Sequence, residues 1–242
     1  MIYKNIILIP ARLNSKRLDK KLLLEIDGKS IIQHSYENSL KSKLSQRSII
    51  LVDSEELLVH CQTFTDDVFL TSDSHSSGTE RIIEYINLND EFDNIVNIQA
   101  DEPFVNPDLV DSIFNELING SNIVSAVYTL DDDDSFDPNR VKVVLNKDFE
   151  AVYFSRSEIP FNRDSDVKVR KYIHLGIYGY KLQSLRNYSN YSNRSLEKIE
   201  KLEQLRFIEN GDKIKIVISH ESSIGIDTLQ DFEKAKIYYE KR

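Results

Sequence analysis

The first half of the chain alternates short apolar runs with segments of helical spacing, and this alternation constrains the fold more than any other feature. The apolar runs lie at Ile6–Ile9, Ile49–Val52, Val68–Leu70 and Ile95–Ile98. Segments whose apolar residues recur at helical spacing separate them, notably Ile31–Leu44 and Thr79–Leu88. Because repeated strand–helix–strand units build parallel sheets covered by helices, we predict an α/β fold with a mainly parallel sheet flanked by helices.

The second half is richer in strand-like segments. They read NIVSAVYTL, RVKVVLN, AVYFSR, KYIHLGIYGY and KIKIVISH. A predicted helix from about Ser195 to Asn210 interrupts them, with Gly211 as its natural stop. Its apolar stripe consists of Leu196, Ile199, Leu202 and Leu205. With no internal repeat or long linker, we predict one domain over residues 1–242, in which a β-rich lobe follows a first half of about 125 residues.

Composition excludes several classes of function. The formal net charge of -9 opposes the attraction to phosphate backbones on which nucleic-acid binders rely, so we expect no nucleic-acid partner. No apolar run approaches the roughly 20 residues that cross a bilayer, and no signal peptide precedes the first strand, so we expect a cytoplasmic protein without a membrane partner. The single cysteine, Cys61, excludes an intramolecular disulfide and is interpreted as a small core residue.

Cationic residues follow the first predicted strand directly. In the stretch NIILIPARLNSKRL, residues 5–18, the apolar run stops at Pro10, and Arg12, Arg17 and the nearby Lys21 come next. Ligands of parallel sheets collect at the carboxyl ends of strands. The chain lacks the glycine-rich phosphate motifs, so these side chains are candidates for holding a polyphosphate, the arginines through forked donors and the lysine as a point charge. An exposed basic loop that makes surface ion pairs is the alternative.

Two aspartates are candidate magnesium ligands. In NIVNIQADEPFV, period-two alternation places Asp101 at the end of a strand that Pro103 terminates. Asp227 lies between an apolar strand and a helix that begins near Leu229, where Asp227 or Thr228 could equally serve as the helix N-cap. Magnesium favours one or two carboxylates together with substrate phosphates and water, but spacing alone does not identify such a site.

Two further segments have polar residues in positions suited to ligand contact. HSSGTERI, residues 75–82, has a serine and a glycine before a helical run, an arrangement that exposes backbone N–H groups but is also explained by N-capping alone. In KYIHLGIYGY, alternation places His174 and Tyr178 opposite an apolar face. His174 is therefore either a structural, hydrogen-bonded histidine or a ligand contact.

These segments carry a resemblance to a known family. IPARLNSKRLDKKLL resembles the amino-terminal loop I-P-A-R-x-x-S-x-R-L-P-G-K-P-L of nucleotide-sugar cytidylyltransferases, most closely the 3-deoxy-manno-octulosonate (Kdo) cytidylyltransferases. HSSGTER, QADEPFV, YFSRSEIP, HLGIYGY, LEKIEKLEQLR and GIDTLQDFEKA resemble further segments of that family, in the same order. The departures from its pattern are Asp19, Lys20, Leu22, Ser74, Ala100 and Leu229.

The resemblance implies a role for each matching residue, on a Rossmann-like nucleotidyltransferase fold. The implied catalytic residues are Arg12, Arg17, Lys21, Asp101 and Asp227, of which Asp101 and Asp227 would hold magnesium. The implied nucleotide-binding residues are Ala11, Arg12, Leu13, Ser15, Arg17, Lys21, Ser77, Gly78, Thr79, Arg81, Gln99 and Ala100. The implied sugar-binding residues are Gln99, Arg156, His174, Tyr178, Glu203 and Gln204.

The resemblance also implies an activity. CTP and the acidic eight-carbon sugar Kdo would react to give CMP-Kdo and pyrophosphate for lipopolysaccharide biosynthesis, with Mg²⁺ as cofactor. Residues from about 126 to 242 would bind the sugar and form a homodimer. The same reaction on another acidic sugar, such as 8-amino-3,8-dideoxy-octulosonate or a nonulosonate, and a catalytically silent CTP-binding module remain alternatives.

Overall fold

The computed structural model describes residues 3–15, 17–130, 137–163, 170–192 and 194–241. The strands are β1 (Asn5–Pro10), β2 (Glu25–Ile26), β3 (Lys29–Ser30), β4 (Arg47–Val52), β5 (Val68–Leu70), β6 (Asn94–Asn97), β7 (Ile123–Leu130), β8 (Lys142–Leu145), β9 (Ala151–Ser155), β10 (Lys171–Lys181) and β11 (Lys215–Ser219). The helices are α1 (Ile31–Ser39), α2 (Glu55–Gln62), α3 (Gly78–Leu88), α4 (Pro107–Ile118), α5 (Leu182–Tyr188), α6 (Ser195–Glu200), α7 (Leu205–Glu209) and α8 (Leu229–Glu240), with a 3-10 turn at Lys21–Leu23. None of the helices in these ranges combines the length and the apolar character that a bilayer crossing requires.

The chain divides into two compact units, and the first is discontinuous in sequence. It consists of Met1–Phe114 and Ser223–Arg242, while the second consists of Asn115–Ser222. The carboxyl-terminal segment therefore belongs with the amino-terminal half, whereas the sequence suggested a division near residue 125.

The first unit contains a parallel sheet in the order β6–β1–β4–β5. Its central strand is entirely buried, with Ile6–Ile9 all at 0% exposure, as expected of a strand covered by helices on both faces. Helices α1, α2 and α3 pack against these strands. All four strands expected from the apolar runs are present, with bounds within one or two residues of those predicted.

Helix α1 is shorter than the sequence pattern suggests. It ends at Ser39 rather than continuing to Leu44. The Asp111 carboxylate accepts hydrogen bonds from Ser42 Oγ and from the backbone N–H groups of Lys43 and Leu44. The bonds to Asp111 of α4 replace the helical bonds that the N–H groups of Lys43 and Leu44 would otherwise make.

The second unit contains mixed strand pairing. Strand β7 pairs antiparallel with β10 and parallel with β11, and β8 pairs antiparallel with both β10 and β9. The mainly parallel, mixed sheet with flanking helices confirms the predicted fold class.

The single helix predicted from Ser195 to Asn210 is wrong, because the segment forms two short helices. Lys201 adopts a left-handed conformation, with φ of 56°, and separates α6 from α7. The Arg156 side chain donates from Nε to the Glu200 carbonyl oxygen at 2.8 Å, which satisfies the end of α6. The break moves Ile199 to the surface, at 77% exposure, whereas Leu205 is fully buried. Gly211 follows α7 with φ of 89°, consistent with the predicted stop.

Cys61 is buried within α2, at 0% exposure. Burial raises the pKa of its thiol to about 12, so the thiolate is disfavoured at neutral pH. These properties agree with the prediction of a small core residue.

Candidate active site

The loop after β1 is attached at two points to the end of β4. The Ala11 N–H donates to the Leu51 carbonyl oxygen at 2.8 Å, and the Leu13 N–H donates to Asp53 Oδ1 at 2.9 Å. Ala11 and Leu13 are buried, whereas Arg12 between them is exposed. The backbone of the loop is therefore fixed on both sides of a cation that projects outward.

Two loop cations contact both predicted metal ligands. Lys21 Nζ lies 2.5 Å from Asp101 Oδ2 and 2.8 Å from Asp227 Oδ1. Arg17 Nη2 lies 2.6 Å from Asp227 Oδ2. Three segments far apart in sequence thus meet at one point in the first unit, which we call the carboxylate–lysine cluster (Arg17, Lys21, Asp101 and Asp227).

The electrostatics of this cluster favour the charged forms of Lys21 and Asp227. Burial opposes the positive charge of Lys21, but Asp101 and Asp227 outweigh it and raise the pKa of the ammonium. Burial likewise opposes ionisation of Asp227, but Lys21 and Arg17 lower the pKa of this carboxyl. The contacts within the cluster therefore favour the ammonium form of Lys21 and the carboxylate form of Asp227.

The start of α8 explains why Asp227 is available to this cluster. The N-cap is Thr228, whose hydroxyl accepts from the Asp231 N–H, and Asp231 in turn accepts from the Thr228 N–H in a capping box. The choice left open by the sequence is thereby decided in favour of Thr228. The Asp227 carboxylate points to Lys21 and Arg17 instead.

The two carboxylates satisfy the donor requirements of a magnesium site. Asp101 and Asp227 approach a single ammonium group, so their oxygens converge on one position. In the part of the chain that the structure describes, no group of three or more histidine, cysteine, aspartate or glutamate side chains could hold a metal. This donor set fits Mg²⁺, which commonly uses one or two carboxylates and completes its shell with phosphate and water oxygens.

Glu102 is a neighbouring acid that sequence reasoning did not select. Burial and the adjacent Asp101 raise the pKa of its carboxyl to about 7, while a hydrogen bond with Ser223 opposes the shift. Near neutral pH it adds only a fraction of a negative charge beside the cluster. Its place next to Asp101 in QADEPF was the signal that could have drawn attention to it.

The start of α3 lies against the end of β1. Ser77 is the N-cap and accepts from the Glu80 N–H at 3.2 Å. A Cβ atom at Gly78 would lie 3.1 Å from Pro10 Cγ, so a larger residue would press on the strand end that leads into the loop. Thr79, the next residue, is buried at 5% exposure. This part of the predicted nucleotide pocket is therefore packed directly beside the loop.

Arg81 is buried in the same region, at 4% exposure. It donates to Thr71 Oγ1 at 2.5 Å and to the Ser72 carbonyl oxygen at 3.1 Å, and its Nη2 lies 3.8 Å from Asp53 Oδ2. Burial lowers the pKa of its guanidinium, and the charge of Asp53 opposes that effect.

The remaining predicted nucleotide residues lie on the same unit. Ala100 is buried at 4% exposure, and its carbonyl oxygen accepts from Ser35 Oγ at 2.8 Å. Gln99 and Ser15 are partly buried. The methyl group at position 100, where the resembling family has glycine, is thus accommodated in the packed interior.

His174 and Tyr178 are neighbours in the second unit, with ring centroids 5.2 Å apart. The register of β10 against β7 pairs Leu175 with Ala126 and then Tyr178 with Ser125, so a bulge intervenes. Because the bulge adds an even number of residues, the alternation of faces is preserved across it. The two side chains therefore share a face, as the alternation predicts.

Hydrogen bonding assigns the tautomer of His174. Ser125 Oγ donates to the Ile177 carbonyl oxygen at 2.9 Å and lies 3.0 Å from His174 Nε2. A hydroxyl has one hydrogen to donate, so Ser125 must accept from a proton on Nε2. Nδ1 consequently has a free lone pair in the neutral ring. Burial lowers the pKa of His174 to about 3, so the ring is neutral at physiological pH.

This shift predicts a loss of stability in acid. An unfolded histidine has a pKa of about 6.5. The folded value of about 3 means that, between these values, the unfolded chain binds the proton more readily. The stability present above pH 6.5 is therefore lost as the pH falls towards 3, by about 2 kcal/mol at pH 5 from this group alone. Urea unfolding at pH 7 and pH 5 checks the expectation.

The matched comparison is His174→Gln against His220→Gln. His220 is exposed, whereas His174 is partly buried and its ring contacts those of Phe154 and Tyr178. The loss of stability between pH 7 and pH 5 should be smaller in His174→Gln than in the wild type, and His220→Gln should retain the larger loss. Equal losses in all three proteins would contradict the assignment.

Arg156 has protein partners throughout its side chain. Besides the bond to Glu200, Nη1 donates to the Pro138 carbonyl oxygen at 3.0 Å and Nη2 to the Lys201 carbonyl oxygen at 3.4 Å. These contacts give Arg156 a structural role at the end of α6, which the sequence did not indicate. The guanidinium has five N–H donors, so two remain for another acceptor.

Glu203 and Gln204 lie in the same unit, between α6 and α7, and the charge of Glu203 acts on Tyr178. Gln204 is 5% exposed, and within the described residues its Nε2 group is buried without a hydrogen-bond partner. Burial first, and then the neighbouring charges of Tyr180 and Glu203, raise the pKa of Tyr178. A buried amide donor without a partner is uncommon in folded proteins and points to an external acceptor.

Comparison with known proteins identifies the family. The sequence profile of the family described as Cytidylyltransferase matches residues 6–214. A 3-deoxy-manno-octulosonate cytidylyltransferase of Elusimicrobium minutum is 41% identical over 239 residues, covering 96% of this chain and 97% of that protein. The chain belongs to the cytidylyltransferase family. The protein of the same name from Francisella tularensis subsp. novicida is 42% identical over 244 residues, covering 95% and 96%. The protein is thus a nucleotidyltransferase.

Comparison with solved structures agrees with this family assignment. The structure of CMP:2-keto-3-deoxy-manno-octonic acid synthetase in complex with CTP matches with a TM-score of 0.94 and 33% identity, covering 98% of this chain and 99% of that one. A 4-diphosphocytidyl-2C-methyl-D-erythritol synthase from Anaerococcus prevotii, at 13% identity and a TM-score of 0.67, shares the fold.

Proposed function

We propose that the protein transfers the cytidylyl group of CTP to Kdo, forming CMP-Kdo and releasing pyrophosphate. The observation that carries this proposal is the carboxylate–lysine cluster, in which Lys21 lies within 2.8 Å of both Asp101 and Asp227. It combines cations for a triphosphate with carboxylates for a metal, on a chain that matches Kdo cytidylyltransferases over nearly its whole length.

The reaction is a displacement at phosphorus. The anomeric hydroxyl oxygen of the sugar forms a bond to the α-phosphorus, the bond from that phosphorus to the bridging oxygen breaks, and pyrophosphate leaves. The hydroxyl proton passes to solvent. Arg12, Arg17 and Lys21 offset the negative charge that develops on the leaving pyrophosphate, and they orient the triphosphate before attack.

Asp101 and Asp227 are the proposed magnesium ligands. When bound, Mg²⁺ polarises the phosphate and lowers the pKa of the attacking hydroxyl. Lys21 neutralises the two carboxylates in the absence of the ion. If an ion took its place between the carboxylates, the Lys21 ammonium would be available to the phosphates.

The nucleotide is proposed to lie on the first unit. The residues that would contact it are Ala11, Leu13 and Ser15 of the loop, Ser77, Gly78, Thr79 and Arg81 of α3, and Gln99 and Ala100 after β6. The packing of Gly78 against Pro10 supports this grouping, since it joins the start of α3 to the loop.

The sugar-binding residues proposed on the second unit are Arg156, His174, Tyr178, Glu203 and Gln204, and Gln99 is the one proposed on the first unit. Two observations support this set. The buried Nε2 group of Gln204 needs an acceptor, which a sugar oxygen would supply. The lone pair on Nδ1 of His174 can accept a hydrogen bond, which a sugar hydroxyl would supply. Because the lowered pKa keeps the His174 ring neutral at physiological pH, we assign it a hydrogen-bonding role rather than that of an acid or base.

The setting of the reaction is proposed to be the cytoplasm, in the lipopolysaccharide pathway, with the protein acting as a homodimer. A partner subunit could cover large apolar side chains that are exposed on the surface of the second unit. They are Phe149, Val152, Phe161 and Ile199, with exposures of 46%, 53%, 85% and 77%.

Pyrophosphate release with CTP and magnesium tests the proposal. Kdo, its 8-amino analogue and a nonulosonate are compared with a control that lacks sugar. Turnover with Kdo supports the proposed substrate, and preference for another sugar changes the substrate but retains the reaction. No turnover with any sugar, in folded protein that binds CTP, would overturn the enzymatic proposal in favour of a CTP-binding module.

A further inference from the structure

Asp53 lies at the carboxyl end of β4, where its two carboxylate oxygens face different parts of the nucleotide pocket. Oδ1 accepts from the Leu13 N–H at 2.9 Å. Oδ2 lies 3.8 Å from Nη2 of Arg81. The Asp53 side chain is 16% exposed, so solvent screens these interactions only in part. Asp53 therefore connects the loop that carries Arg12 to the helix that carries Arg81.

The hydrogen bond to Leu13 determines where Arg12 projects. On one side of Arg12, Ala11 is held by its backbone hydrogen bond to Leu51. On the other side, Leu13 is held by the hydrogen bond that its N–H donates to the Asp53 side chain. Arg12 is exposed, and no ion pair to it occurs within the described residues. Its position in the absence of ligand thus depends on the backbone on either side.

The Arg81 side chain is also held in place by groups at the end of β4. Thr71 Oγ1 donates to the Val52 carbonyl oxygen at 2.8 Å, so it must accept from Arg81 Nη1. Arg81 is buried, and the positive charge of Arg12 acts on it in the same unfavourable direction as burial. Of the nearby carboxylates, Asp53 opposes this effect most strongly, so its charge stabilises the buried guanidinium.

We propose that Asp53 is a positioning residue for CTP: by accepting the Leu13 N–H, it holds Arg12 beside Arg81 before the nucleotide arrives. Asp53 itself contacts neither phosphate nor base. The loop and the start of α3 pack side by side in the proposed nucleotide site, and the geometry that Asp53 maintains would spare the nucleotide the cost of ordering the loop. This inference rests on the proposed function only for the identity of the nucleotide.

Three substitutions separate the hydrogen bond from the charge. Asp53→Asn retains an oxygen that accepts from Leu13 but removes the charge. Asp53→Glu retains the charge but moves the acceptor by one methylene group. Asp53→Ala removes both. We expect Asp53→Ala and Asp53→Glu to lower kcat/KM for CTP about tenfold to fiftyfold, with KM for the sugar unchanged, and Asp53→Asn to remain within about threefold of the wild type.

Asp67→Ala is the matched control. Asp67 precedes β5 and accepts from Arg47 Nε at 2.7 Å at the start of β4, the opposite end from Asp53. Its loss removes a carboxylate–arginine pair in the same sheet without touching the loop. The thermal midpoint should fall, and kcat/KM for CTP should stay within about twofold of the wild type.

The affinity for CTP, measured by calorimetry with magnesium and without sugar, tests the proposal without relying on turnover. Tenfold weaker binding in Asp53→Glu, with wild-type binding in Asp53→Asn, supports the proposal even if Kdo is not the substrate. Equal losses in these two variants, or wild-type affinity in Asp53→Glu, would overturn it. If Asp53→Ala does not fold, the comparison of Asp53→Asn with Asp53→Glu still decides between these outcomes.

Discussion

Asp101→Asn is expected to lower the rate of pyrophosphate release by at least about a thousandfold, because it removes one of only two proposed carboxylate ligands for magnesium. Asparagine has the shape of aspartate, and its oxygen can still accept from Lys21 Nζ, which lies 2.5 Å from Asp101 Oδ2. The fold should therefore be retained. Turnover at saturating CTP and sugar over a magnesium titration, with circular dichroism and the thermal midpoint, measures both effects.

The control for this substitution is Asp108→Asn. Asp108 is an exposed acid in the first turn of α4 that pairs with Lys43 at 3.7 Å, so its loss should leave turnover within about twofold. If Asp101→Asn retained more than a tenth of wild-type activity, Asp101 would have no part in the mechanism. If it lost activity only by unfolding, the loss would carry no information about the metal, and the circular dichroism spectrum separates these outcomes.

Lys21→Met is expected to act on both catalysis and the metal-free fold. The ammonium group is only 11% exposed and lies between Asp101 and Asp227. Its removal leaves two carboxylates with Arg17 as their remaining cation in the cluster, so we expect the free energy of unfolding without magnesium to fall by about 1–3 kcal/mol. Added magnesium should then raise the thermal midpoint more in the variant than in the wild type. Turnover should fall by about a hundredfold or more, since the leaving pyrophosphate loses a cation.

Lys20→Met is the matched control, since it removes the neighbouring lysine in the same loop. Lys20 is exposed and pairs with Glu56 of α2 at 2.6 Å, away from the cluster. It should show the wild-type response to magnesium and turnover close to that of the wild type. A magnesium response in Lys21→Met no larger than in Lys20→Met would contradict the view that Lys21 neutralises the metal carboxylates.

The sequence predicted the frame of the first unit well, because its strands are buried on both faces and appear as continuous apolar runs such as Ile6–Ile9. It placed Asp101 at the carboxyl end of this sheet, but the strand predicted to reach Asp101 is shorter, since β6 ends at Asn97 and a turn carries the aspartate. It could not show that Lys21 and Asp227, which are 206 positions apart, would meet at 2.8 Å. Long-range ion pairs of this kind have no local pattern.

Other features depended on competing local interactions. Asp227 and Thr228 are both good N-caps, and the capping box with Asp231 decided between them. The apolar stripe of residues 195–210 favoured one helix, but the left-handed Lys201 and the Arg156 contact to Glu200 divided it. Asp53 carried a usable signal, since a polar residue directly after a parallel strand lies at the ligand edge of the sheet, yet its role depends on a backbone N–H that no sequence pattern identifies.

Because the first unit is discontinuous in sequence, it can be completed only late in the synthesis of the chain. Ser223–Arg242 completes a unit that begins at Met1, and the whole of Asn115–Ser222 is synthesised in between. Asp227 leaves the ribosome after every other member of the carboxylate–lysine cluster. A nascent chain therefore has Lys21 and Asp101 but lacks the second carboxylate, and the capacity to hold magnesium as proposed arises only when the carboxyl-terminal helix returns to the amino-terminal half.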